Sequence, residues 1–236
     1  MENLKEILAF CKGRFYFGEG SPDAKILFVG KEIGYGHEKD KHPDVSTITK
    51  KAKDKIDENL NNWNLHIEHG VGNYLKNMGN LFREKTNPTW ISYQKILNEI
   101  EGREQKADKF DFLSYCFITE FSQIPLPNSG HKSNDKEFAK EKKQNINKRK
   151  ELLEQSFFQK IPIVIMACGN YIKRSDIETI FGVKLKEGKK ELSKGNWYSL
   201  YKGKTNKGEK KILIHTRQLS NGVSDKLLSE IAKKCE

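Results

Sequence analysis

Four short apolar runs set the limits on what this chain can fold into. They are Lys25 to Gly30 (KILFVG), Phe112 to Phe121 (FLSYCFITEF), Ile161 to Gly169 (IPIVIMACG) and Lys211 to His215 (KILIH). Each has the length of a strand, β-branched or aromatic content, and a polar or glycine-containing exit. Near-continuous apolarity means that both faces of a strand are covered, as in parallel strands lying between helices. The stretches between the runs carry apolar residues at helical spacing. Residues 2–12 place Leu4, Ile7, Leu8 and Cys11 on one face, and residues 69–84 and 90–101 repeat the pattern. Residues 134–159 form a very polar helix, apolar at Phe138, Ile146, Leu152, Leu153 and Phe157. A last helix starts near Ser224, a good N-cap, and buries Leu227, Leu228 and Ile231. The expectation is one α/β domain over residues 1–236. It is a three-layer α/β/α sandwich around a mainly four-stranded parallel sheet, with a small C-terminal hairpin extension. That hairpin pairs Trp197–Lys202 with Lys210–His215. Residues 37–62 are polar and lysine-rich and read as a mobile excursion after the first strand.

With 236 residues the chain is long enough to bury a real core. No apolar run approaches the roughly 18 residues of a membrane span, and the start has no secretory pattern. Cys11, Cys116, Cys168 and Cys235 lie too far apart for a CxxC pair, so a zinc ribbon or iron–sulfur cluster is not expected. They read as reduced thiols of a cytoplasmic protein. Lys plus Arg is 43 against 32 Asp plus Glu, a formal charge of +11. Such an excess suits a polyanion partner, nucleic acid above all, or else a solubilising surface.

In an open α/β sheet, ligands bind beyond the carboxyl ends of the strands. Four exits are therefore of interest: Gly30-Lys31-Glu32-Ile33-Gly34-Tyr35-Gly36-His37, Thr119-Glu120-Phe121-Ser122, Gly169-Asn170-Tyr171 and His215-Thr216-Arg217-Gln218-Leu219-Ser220. Two carboxylates and a histidine would meet on one edge. A charged carboxylate is costly to bury unpaired, so the pair suggests a polar site. The three glycines permit close backbone approach to a ligand, or simply make a tight turn. The loop is neither a Walker loop nor GxGxxG. His215 reads equally as a satisfied core histidine or a functional one. Glu120 reads equally as a salt-bridge partner or a ligand reader.

The order and exits of these strands resemble the uracil-DNA glycosylase superfamily over roughly residues 20–234. That family has a Gly-x-Asp/Asn-Pro or GEAPG-type loop after its first strand and a second strand ending in a base-reading Asn. Its third strand ends in Gly, and its fourth in His-Pro-Ser-Pro-Leu-Ser or a variant. The counterparts are Gly30–Gly34, Phe117–Phe121, Ala167-Cys168-Gly169 and His215–Ser220, the last matching at His, Leu and Ser. The resemblance implies that Glu32 orients water or stabilises the sugar cation, and that His215 stabilises the departing base. It implies that Leu219 is the wedge replacing a flipped nucleotide, and that Ser220 and its loop grip phosphates. It puts Gly34 where some members carry a methyl-excluding Tyr. Base binding would fall to Gly30, Gly34, Tyr35, Glu120 and Phe121, with Tyr35 and Phe121 each either stacking on the base or packing in the fold. DNA binding would fall to Arg217, Leu219, Ser220, Gly169 and Asn170. Lys39, Lys41, Lys50, Lys51, Lys53, His131, Lys132 and Lys136 would line the approach.

The chain departs from the pattern at Ile33, at Thr216-Arg217-Gln218 and at Glu120, which stands where Asn reads uracil. An ionised Glu only accepts hydrogen bonds, so it favours a base edge with two donors. The expected function is a DNA glycosylase-like hydrolase acting on a damaged base, uracil or another, as a monomer, without cofactor or metal. The alternative is a catalytically inactive nucleic-acid binder of the same fold. An unrelated hydrolase or nucleotide-binding enzyme ranks last, since GxSxG and a complete phosphate loop are both missing.

Overall fold

The computed structural model describes residues 2–33, 45–69, 88–104, 110–125 and 136–236. The expected helix at 69–84 lies almost wholly outside these residues, as do Gly34, Tyr35, Lys39, Lys41, His131 and Lys132. The helices are α1 (Glu2–Cys11), α2 (Val45–His69), α3 (Pro88–Ile100), α4 (Lys136–Leu153), α5 (Ser156–Gln159), α6 (Arg174–Phe181) and α7 (Asp225–Cys235). The strands are β1 (Glu19–Gly20), β2 (Ile26–Gly30), β3 (Cys116–Glu120), β4 (Ile163–Met166), β5 (Val183–Ser193), β6 (Asn196–Lys204) and β7 (Lys210–Thr216).

The four apolar runs become β2, β3, β4 and β7, which stand side by side as β3-β2-β4-β7, each parallel to its neighbour. The sheet is larger and more mixed than expected. Among the described residues it has seven strands in the order β1-β3-β2-β4-β7-β6-β5, with β1 antiparallel on one flank and β6 and β5 antiparallel on the other. The hairpin is therefore no appendage: it continues the sheet through β7 and adds β5. Its lysine-rich sequence hid β5, because an edge strand exposed along most of its length carries too few apolar residues to mark it as a strand.

Successive strand residues point to opposite faces. Leu27, Val29, Phe117, Val164 and Leu213 enter one core cluster with Ile7 of α1, Trp63 of α2, Leu152 of α4 and Ile177 of α6. Phe28, Ile118, Ile165 and Ile214 enter a second with Tyr93 and Leu97 of α3 and Leu227 and Ile231 of α7. Helices thus cover both faces, which is what the continuous apolarity demanded.

Over residues 45–62 the reading of a mobile excursion is corrected. They form most of α2, because Ile48, Ala52, Ile56, Leu60 and Trp63 make a buried stripe that the intervening lysines mask. The helix is pinned by side chain as well. Asn59 Oδ1 accepts from the Phe17 amide at 3.0 Å, and the Trp63 indole donates to the Gly18 carbonyl at 2.7 Å. The expected helix at 134–159 breaks into α4 and α5. At α7, Ser224 caps as expected, its hydroxyl accepting from the Leu227 amide at 3.2 Å. No helix among the described residues is long and apolar enough to cross a membrane.

Candidate functional site

The parallel strands bring their exits to one edge of the sheet. Register pairs Gly30 with Glu120 and Met166 with His215, so the residues after β2, β3, β4 and β7 form a row. The β2–β3 pairing runs on past the strands: the Phe121 amide donates to the Gly30 carbonyl at 2.9 Å and the Ser122 amide to Lys31 at 3.0 Å. That continuation holds Lys31, Glu32 and Glu120 in fixed positions.

Glu32 is the best-supported group in the row. Its side chain is only 7% exposed, and the Tyr171 hydroxyl donates to Oε2 at 2.6 Å. Lys142, from α4, brings its ammonium to 4.0 Å from the same oxygen. The ammoniums of Lys31 and Lys142 also lie over the Tyr171 ring, at 4.6 and 4.8 Å from its centroid. Glu32 thus has the Tyr171 phenol and the Lys142 ammonium beside it, with Lys31 on the Tyr171 ring. Burial pulls the Lys142 ammonium below its ordinary value, against the opposing pull of Glu32. Burial, and then the bond to Glu32, push the Tyr171 phenol up, so it stays a donor.

His215 reaches the same cluster indirectly. Its Nε2 lies 2.8 Å from the Gly169 carbonyl oxygen, an acceptor, so Nε2 carries the hydrogen and donates. Gly169 has φ of +56°, a conformation that favours glycine, and opens the 3-10 turn Gly169–Tyr171. His215 therefore steadies the turn that carries Tyr171 to Glu32. Trp197 packs edge-on against the His215 ring at 5.1 Å. Burial lowers the imidazole from its ordinary value, which keeps it neutral.

Glu120 presents the opposite situation to Glu32. Its Oε2 is buried and has no hydrogen-bond partner. The carboxyl lies against the bare Cα of Gly30, where any side chain would collide with it. Arg149, fully buried beneath β3, does not answer the charge. Its Nε and Nη2 donate to the main-chain oxygen of Glu120 at 2.9 and 2.6 Å, and Nη2 also to Thr119 Oγ1 at 2.7 Å. Its Nη1 donates to the Tyr16 carbonyl. Burial pushes the Glu120 carboxyl well above the usual carboxylate range. The Arg149 charge opposes this shift, and Glu32 and Glu19 add to it.

The remaining expected residues fall as follows. Leu219 is 0% exposed and packed into the core cluster of α3 and α7, so the expectation of a projecting wedge is corrected to a packing role in this conformation. Phe121 is likewise a core residue, on the other face, which corrects its candidacy as a stacking ring. Arg217 is tied to main-chain carbonyls of Gly195, Asn221 and Gly222 at 3.1–3.3 Å, linking the β5–β6 turn to the loop before α7. Ser220 is half-buried in that loop, and Asn170 is exposed. Lys50, Lys51 and Lys53 lie on α2, and Lys136 opens α4. A cleft of about 680 Å³ lies between α1 and α2 and one of about 460 Å³ between α2 and α4, but neither is lined by Glu32, Glu120 or His215. No group of three or more His, Cys, Asp or Glu is gathered as a metal site among the described residues.

Sequence reasoning missed Lys142, Arg149 and the role of Tyr171. Tyr171 lies two residues past the third exit glycine, so its position was legible although its partner was not. Lys142 and Arg149 sit in a helix so rich in lysine that nothing local distinguishes them. A scan against protein-family models and searches of curated proteins and of solved structures found no match.

Proposed function

We propose that this protein is a DNA glycosylase-like hydrolase that takes a damaged base out of the stack and hydrolyses its N-glycosidic bond. The observation that carries the reading is Glu32: a nearly buried carboxylate at a parallel-strand exit, held by Tyr171 and Lys142. A fixed negative charge there suits the cation that develops on the sugar, and a carboxylate can take the proton of the attacking water. Four parallel strands with helices on both faces support a three-layer sandwich of the uracil-DNA glycosylase type, with the antiparallel ribbon added to it. The charge of +11 supports a nucleic-acid partner.

The test is release of labelled bases from oligonucleotides carrying uracil, hypoxanthine, xanthine and oxidised bases, single- and double-stranded, with abasic sites revealed by alkali. Glu32→Gln is expected to keep binding and to slow release by about a thousandfold, within the range for a catalytic base. Failure of the parent protein to release any base would overturn the reading. A second reading, a nucleic-acid binder without catalysis, is favoured by the buried Leu219, which leaves no wedge in place. Salt-sensitive binding without release would establish it.

A further inference from the structure

A carboxyl group taken out of water either finds a cation or keeps its proton. Glu120 has no cation in contact with its carboxyl oxygens, although the Arg149 charge acts on it through space. No ion pair reaches it among the described residues, and the Arg149 guanidinium below it is committed to main-chain oxygens and Thr119. The other groups facing it bring none: Glu32 beyond β2, Glu19 of β1, Tyr93 of α3 and Cys168 after β4. Part of the residue keeps contact with solvent, while Oε2 is shut in against Gly30. Its neighbour Glu32 is paired and hydrogen-bonded. One paired and one unpaired carboxyl at adjacent strand exits suits the division between base and acid that glycosidic hydrolysis uses.

We propose that Glu120 is a catalytic acid that gives its proton to the base leaving the sugar. This rests on the reading of the site as an N-glycosidic hydrolase. The bond between C1′ and the base nitrogen breaks, and its electron pair departs with the base. The Glu120 proton moves to a ring nitrogen or carbonyl oxygen of that base. The oxygen of water bonds to C1′, and a proton of that water passes to Glu32. A proton then returns from Glu32 to Glu120 through solvent. Water is consumed, the free base and an abasic sugar are formed, and nothing is oxidised or reduced. His215 is not available for this step, since its Nε2 hydrogen is directed to Gly169. The substrate class follows: bases that leave poorly as anions and need protonation, purine-type lesions such as hypoxanthine before uracil. This reverses the expectation that an ionised Glu120 only accepts hydrogen bonds.

Two measurements on the whole protein test it. The first is the infrared band of a neutral carboxyl near neutral pH, in the parent and in Glu120→Gln. The band is expected in the parent and absent from the variant. The second is single-turnover base release against pH, from oligonucleotides carrying hypoxanthine, uracil or 5-fluorouracil. Glu120→Gln is expected to slow hypoxanthine release by about a hundredfold or more, and 5-fluorouracil far less, because its anion leaves readily. Glu120 holds its proton above the usual carboxylate range and loses it as pH rises, so the parent rate falls on the alkaline side. That fall disappears in the variant. A missing infrared band overturns the proposal whatever the activity. Base release by Glu120→Gln that is unchanged, or slowed equally for all three bases, overturns it while leaving the glycosylase reading intact. A neutral band with no base release by the parent overturns both.

Discussion

Strands β3, β2 and β4 run parallel and are buried along nearly their whole length, whereas β5, at the far antiparallel flank, is exposed along most of its own. The two regions treat charge differently. β2, β3 and β4 together contain a single charged residue, Glu120. The ribbon from Val183 to Thr216 holds ten lysines against three glutamates, and nine of those lysines are exposed. An ionised side chain in the buried half would cost several kcal/mol unless something answered it, so an acidic residue there must pair or keep its proton. A charge on the exposed half costs almost nothing, so it contributes only to the field that a polyanion would feel. The two meet at β7, whose exit carries His215 and whose start carries the buried Lys211.

Removing the guanidinium beneath β3 is the strongest way to break this contrast. Arg149→Ala strips donors from the Glu120 and Tyr16 carbonyls inside the core. Its expected cost is about 3–5 kcal/mol, read by urea denaturation. A loss below about 1 kcal/mol would mean that water replaces the guanidinium and that this half is less closed than its burial indicates.

The shared strand gives a smaller effect with a definite sign. Lys211 is fully buried, with Gln159 Oε1 at 3.2 Å and the Phe181 ring beneath its ammonium. Burial pulls its ammonium from the ordinary 10.5 down to about 8. Between those values the unfolded chain holds the proton that the folded chain has lost, so stability rises with pH across that window and is flat below it. Lys211→Met is expected to stabilise the protein by about 1–3 kcal/mol near neutral pH and to abolish the rise. Equal pH profiles for parent and variant would show that the ammonium escapes to water.

The smallest stability effect belongs to the ribbon. Lys189 lies over Trp197, which packs on His215, and Lys194 sits in the β5–β6 turn fastened by Arg217. Both belong to the strand-exit edge, because β6 begins where β7 ends. Replacing both lysines by alanine should change stability by less than about 0.5 kcal/mol per site. On the proposed function it should also lower the slope of DNA affinity against salt by about two. An unchanged slope would take the ribbon out of the DNA contact and leave its lysines to solubility alone.

The buried half was the legible one. β2, β3, β4 and β7 were read with their exits, since a strand covered on both faces must be apolar throughout, and α7 was read from Ser224 and the apolar stripe behind it. β5 and α2 escape the sequence, because both are rich in polar and charged residues that solvent permits on any element. The row of Glu32, Glu120, Gly169 and His215 was likewise read from exits alone. The differences between its members were not: the two glutamates look alike in the sequence, and only their neighbours separate them.

The sequence by itself determined which segments enter the sheet and which edge collects the polar residues, because hydrophobic periodicity and strand direction are local or nearly local properties. Tertiary structure alone decided that Glu32 meets Tyr171 and Lys142, that Arg149 turns to backbone oxygens, and that Leu219 goes inward. Those outcomes depend on groups that packing brings together from separate elements, 29 residues apart for Arg149 and Glu120 and 139 for Glu32 and Tyr171. The protonation of a buried carboxyl is likewise set by what stands within a few ångströms of it, whatever its place in the chain.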